Sequence, residues 1–156
     1  ATGSSSNMST TTPYYYYPNN SSSNVASYGL LYNWPGATGY GVNNYYSNIY
    51  NMGNYQGKNQ GACPRGWHIP TQTEMNTLNN NIESNYSSFS PQYAGYINSS
   101  GSVTSWSNHN YCEYWSSTLS SGTSYYYWYY NNNTHNHGVS LEGAAVAKSV
   151  RCVQDY

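Results

Sequence analysis

The sequence predicts an α+β domain preceded by an extended N-terminal arm, and three observations predict it. Residues of about 72–83 carry a helix start signal followed by an apolar stripe at helical spacing. The segments beyond residue 110 alternate aromatic runs with Asn- and Gly-rich turns. The first 27 residues show neither period. One helix followed by several short antiparallel strands is an α+β arrangement, and 156 residues fit one such domain with one core of ordinary size.

The arm, residues 1–27, is Ser, Thr, Asn and Tyr, with Pro13 and Pro18 bracketing Tyr14, Tyr15, Tyr16 and Tyr17. A segment with so little core-forming potential becomes ordered only by lying against something, either its own domain or a neighbouring copy. These four tyrosines are the expected assembly contacts. Residues 28–156 have the texture of a domain. Over residues 32–60 the density of Asn, Gly and Tyr reads as loops with room for a short helix. Thr71 is the N-cap of the one clear helix, and Glu74 completes a capping box. Met75, Leu78 and Ile82 follow at i, i+3 and i+7 on one face.

The remainder reads as strand. Tyr114–Thr118 is a short strand, and Tyr125–Tyr130 is a longer aromatic one. Asn131, Asn132 and Asn133 form a turn, after which His135–Leu141 returns as the hairpin partner. Ala145–Val153 is expected as a closing strand with Val150 and Cys152 on one face.

Composition excludes several function classes. The chain has four Lys and Arg against five Asp and Glu, a formal net charge of −1, and 22 tyrosines. Nucleic-acid binding demands a basic cluster, whereas Lys58, Arg65, Lys148 and Arg151 are scattered. Near-neutrality also gives little electrostatic protection against association. Disorder pairs few aliphatic residues with high charge and few aromatics, and both are reversed here. No apolar run reaches membrane-spanning length, and no signal peptide is recognisable. Three cysteines with almost no charge point to an oxidising location, with connectivity left open by the odd count. Asn-X-Ser/Thr triplets start at Asn7, Asn20, Asn85, Asn98 and Asn132 among others, most of them as chance produces in a chain this rich in Asn and Ser.

Five motifs occur in order: Tyr28-Gly-Leu-Leu-Tyr-Asn-Trp34, Cys63-Pro-Arg-Gly-Trp-His-Ile-Pro70, the Glu74-Met75 helix, Tyr114-Trp-Ser-Ser-Thr118 and Ser149-Val-Arg-Cys-Val-Gln-Asp155. Together they resemble the Fibrobacter succinogenes major paralogous domain over about residues 28–155, leaving the arm outside. The resemblance implies a C-type-lectin-like fold and an extracellular or bacterial cell-surface location. The family's two motif cysteines match Cys63 and Cys152, the expected disulfide, which leaves Cys112 free or bonded between subunits. Lectin-like relatives include diversified ligand-binding proteins and formylglycine-generating enzymes. The chain departs from the enzymes because no second cysteine lies near Cys152 to form a reactive pair.

Each candidate site has a plain structural reading beside it. His135 and His137 would share a face if both lay on a strand, but Asn131–Asn136 reads as a turn and no third ligand has matching spacing, so no metal is expected. Calcium needs several carboxylates; only Glu74, Glu83, Glu113, Glu142 and Asp155 exist, and capping takes Glu74. His68, Cys112 and Ser116 have no spacing that assembles a nucleophile, and His68 reads as structural. No cofactor and no enzyme activity are expected. Trp67 and Trp115 read as core anchors. Half of the Tyr125–Tyr130 rings face outward on either register, so Tyr126, Trp128, Tyr129, Tyr130, Asn132, His135 and His137 form a candidate contact surface of paratope-like composition.

Two functions remain. The favoured one is a secreted, non-enzymatic structural subunit that polymerises into a surface filament or layer, its arm docking on an adjacent copy. The other is a surface-displayed adhesin or receptor that holds a glycan or protein on the 125–141 hairpin. The partner is the chain itself in the first and an external ligand in the second, with no nucleic acid and no membrane span in either.

Overall fold

The computed structural model describes residues 2–3, 6–39, 58–121 and 123–156. It is a mixed helix and strand domain with small antiparallel sheets, as the α+β reading expects. The fold begins in the arm. Strand β1 (Tyr15–Tyr16) pairs antiparallel with β2 (Leu31–Tyr32), joining Tyr16 to Leu31. Two 3-10 turns, Pro18–Asn20 and Ser22–Asn24, lead into the short helix α1 (Val25–Tyr28). The change of texture at residue 28 therefore marks no structural boundary. Tyr16 is buried with Leu31, Ala94, Ile97 and Ala147, so the arm contributes to the core of its own chain.

Helix α2 (Trp34–Thr38) follows β2 directly. Asn33 caps it, its Oδ1 accepting from the Gly36 N–H at 3.0 Å. The same side chain fastens the arm: Oδ1 also accepts from the Tyr14 N–H, and Nδ2 donates to the carbonyls of Ser9 and Thr12. This is the short helix anticipated within 32–60; the rest of that expectation, residues 40–57, lies outside the described residues.

Helix α3 (Gln72–Phe89) starts where the capping box predicts. Thr71 accepts from the Glu74 N–H, and Glu74 in turn accepts from the Thr71 N–H at 2.9 Å. It runs beyond residue 83 because the buried stripe of Met75 and Ile82 continues through Tyr86 and Phe89, which pack on the same core cluster. That face lies against a three-stranded antiparallel meander of β6 (Tyr111–Ser121), β7 (Ser124–Asn131) and β8 (His137–Gly143), in the order β6-β7-β8. The aromatic strand and the Asn turn are thus where the sequence places them. Strand β6 extends well past the expected Tyr114–Thr118.

Two small ladders complete the fold. Strand β3 (Trp67–His68) pairs with β9 (Val153–Gln154), and β4 (Tyr96–Ile97) pairs with β5 (Val103–Thr104). The expected closing strand over Ala145–Val153 is corrected. Residues 144–146 turn after β8. Ala147, Lys148 and Ser149 then bridge three different neighbours, namely Ile97, Tyr32 and Tyr114. A segment that serves three partners in succession makes no continuous ladder with any of them. Val150 and Cys152 nevertheless pack on one cluster, around Trp34, Ile69 and Trp115. The Cys63–Cys152 disulfide forms as expected, and Cys112 is a free, buried thiol. Among the described residues no helix is long and apolar enough to cross a membrane.

Candidate functional site

Alternation in β7 sorts its rings. Tyr126, Trp128 and Tyr130 lie on one face, with Cys112 and Tyr114 of β6 and with His137, Val139 and Leu141 of β8 as cross-strand neighbours. Helix α3 covers most of that face. Trp128 packs edge-on against Phe89, and Tyr130 stacks on Tyr86 with centroids 5.0 Å apart. Trp128 and Tyr130 are consequently buried core, which corrects their assignment to a contact surface. Tyr126 and Tyr129 remain half-buried, and Asn132 accepts from the Tyr86 hydroxyl at 2.8 Å.

His135 and His137 do not form a strand pair. His135 sits in the turn with positive φ and accepts or donates at Nδ1 to the Tyr130 hydroxyl, while His137 begins β8. His137 Nε2 lies 3.1 Å from Glu83 of α3, and its Nδ1 meets Asn79 Oδ1, which also accepts from the Trp128 indole. These bonds fasten the hairpin to the helix. Among the described residues no group of three His, Cys, Asp or Glu side chains is arranged to hold a metal ion.

The two tryptophan anchors separate. Trp115 is fully buried, its indole donating to the Tyr32 carbonyl at 2.7 Å. Trp67 is 39% exposed, correcting its reading as an anchor. In a two-residue strand only one side chain can face inward, and His68 takes that place. The buried imidazole of His68 lies 2.7 Å from Asp155 and 2.9 Å from Glu74, tying the C-terminal segment to the start of α3. Trp67 instead borders a cleft of about 290 Å³, whose walls include Met75, Phe89, Trp128, Glu74 and Arg151.

Strand β8 has one partner, β7. Among the described residues nothing pairs with its outer edge. Leu141 of this strand is 45% exposed, and Glu142 is the strand's only acidic residue.

One constellation escapes the sequence reading altogether. Lys148 and Glu113 form an ion pair at 0% and 3% side-chain exposure. Tyr127, Tyr96 and Trp115 enclose the ammonium, with ring centroids 3.8, 5.0 and 5.1 Å from Nζ. Tyr111 donates to Glu113 Oε1 at 3.0 Å. Burial pushes the Lys148 amine below the ordinary lysine range, against the opposing pull of Glu113 and Glu142. A signal existed: each residue is a lone charge in or at the end of an otherwise apolar run, Tyr111–Trp115 and Ala144–Lys148. Buried charges are usually paired, so two such runs in one chain predict each other.

A family model described as the Fibrobacter succinogenes major domain matches residues 2–88. The chain belongs to that family. The matched residues include the arm, which the motif-based resemblance leaves outside, and they end within the last turn of α3. No curated protein and no solved structure matches the chain.

Proposed function

We propose that this Fibrobacter succinogenes major domain is a secreted, non-enzymatic structural subunit with a C-type-lectin-like fold, which assembles with its own copies into a surface filament or layer. The observation that carries this reading is the outer edge of β8, with which nothing among the described residues pairs. An unpaired row of N–H and C=O groups is a template for another strand, and proteins that stay monomeric blunt such edges with Lys, Pro or a covering element. Strand β8 contains neither Lys nor Pro. An antiparallel pairing of two β8 strands centred on Ser140 sets Val139 of one copy opposite Leu141 of the other, an apolar cross-strand pair. The net charge of −1 leaves little repulsion between copies.

Such an isologous contact gives a dimer, and a filament needs a second, different one. The arm supplies it by exchange. The Tyr16 plug, the β1–β2 pairing and the three bonds from Asn33 to the arm, made within one chain here, are equally available to the arm of a neighbour. The disulfide suits an oxidising, extracellular setting. The variant Leu141→Lys tests the edge. Light scattering should show its self-association abolished at an unchanged thermal midpoint; association equal to wild type would refute the edge contact. Deleting the arm is the poorer test, because it uncovers the cluster that Tyr16 fills.

The Trp67 cleft favours a second reading, a surface adhesin for a glycan. Aromatic walls beside one carboxylate and one guanidinium offer both stacking faces and hydrogen-bonding groups to a sugar ring. Glycan-array binding by wild type that Trp67→Ala abolishes would support it, and a blank array would dismiss it.

A further inference from the structure

Lys148 and Glu113 are held face to face from both sides. The Lys148 N–H donates to the Tyr32 carbonyl at 3.0 Å, and the Tyr32 N–H donates back at 2.8 Å. Next to it, the Ser149 N–H donates to the Glu113 carbonyl at 3.0 Å. Neither backbone can withdraw without breaking the fold. Lys148 Nζ rests on Glu113 Oε2, while the Tyr111 hydroxyl holds Oε1, and the three rings exclude solvent. A buried ion pair is a costly way to fill such a space, because desolvation of both charges opposes their attraction.

We propose that Lys148 and Glu113 are joined by an amide bond between Nζ and Cδ, a covalent staple that forms within the folded domain. The Nζ–Cδ bond forms and the Cδ–Oε2 bond breaks. Oε2 departs as water with two hydrogens of the Lys148 ammonium, the third remaining on the amide nitrogen. Nothing is oxidised or reduced, and no co-reactant is needed. Tyr111 donates to Oε1, the oxygen that carries negative charge in the tetrahedral intermediate and becomes the amide carbonyl. Burial favours the free amine that must attack. Groups held in reacting geometry behave as if at concentrations of about 10⁵–10⁸ M, which favours a condensation that bulk water would reverse.

The staple would join β6 to the 147–149 segment, and it stands whether or not copies assemble. Intact-mass spectrometry of the full folded chain tests it. The expected mass is one water below that of the sequence after allowance for the disulfide hydrogens. Fragmentation of a proteolytic digest should then yield a branched peptide joining residues 113 and 148. The Lys148→Met chain should regain the full mass. Wild-type readings decide the matter even if that variant does not fold. A wild-type chain of full mass, or a water lost at any other position, overturns the proposal.

Discussion

Asn33 shows how much of this fold rests on single side chains. Its amide uses two acceptor and two donor positions, joining the start of α2 to three points of the arm. Asn33→Ala would leave two carbonyls and two N–H groups without their partner, and a buried unsatisfied group costs about 1–3 kcal/mol. The expected loss is therefore about 3 kcal/mol, read from urea unfolding, together with accelerated proteolysis before residue 28. Glu74 is a second such residue. Burial by itself would raise its pKa, but bonds from the Thr71 N–H, His68 and the Thr71 hydroxyl outweigh burial and hold it below 4.5. A carboxylate with a depressed folded pKa adds stability that is complete above its unfolded value and lost as pH falls through the folded one. The thermal midpoint should accordingly fall on acidification below about pH 4.5. Glu74→Gln should begin lower at neutral pH and fall less steeply. The capping half of Glu74's role was legible from spacing alone; the His68 half was not, because it depends on β3 arriving from elsewhere.

At the scale of elements, local signals are legible and long-range ones are not. The Thr71–Glu74 box and the first apolar stripe place the start of α3 correctly. Its end is obscured because Asn and Ser fill the solvent face, and because Tyr86 and Phe89 extend the stripe in a form that reads equally well as aromatic decoration. Strand alternation shows that Tyr125–Tyr130 has two faces without showing that α3 covers one of them. This produces opposite expectations for two tryptophans. Trp128→Ala should cost about 3–5 kcal/mol by opening a cavity, whereas Trp67→Ala, at a residue 39% exposed, should cost clearly less. Paired chemical denaturation curves check both. The buried Cys112 belongs to the same covered face. Burial pushes its thiol up to about 12, so iodoacetamide at mildly alkaline pH should leave the native chain unlabelled and modify the unfolded chain once. Labelling of the native chain at the unfolded rate would contradict the packing of β6 under α3.

At the scale of the whole molecule, the Cys63–Cys152 disulfide closes a separation of 89 residues, spanning α3 and the entire meander. Chain-entropy arguments give about 4.6 kcal/mol for a loop of that size, and reduction should lower the thermal midpoint accordingly. The cysteine pairing is legible through the motifs that contain it. The pairing of Lys148 with Glu113 is not legible from spacing, because the partners are 35 positions apart and meet only when the 147–149 segment has threaded between β2, β4 and β6. The proposed assembly also belongs at this scale, since the β8 edge and an exchange of the arm would have consequences only between copies. The most direct test is light scattering of the full chain over a concentration series, with negative-stain electron microscopy of the same samples. Self-assembly predicts mass that rises with concentration and regular fibres or sheets of one repeating density, both absent from Leu141→Lys. A wild-type chain that stays monomeric at the highest concentration, with no repeating structure on the grid, would contradict it.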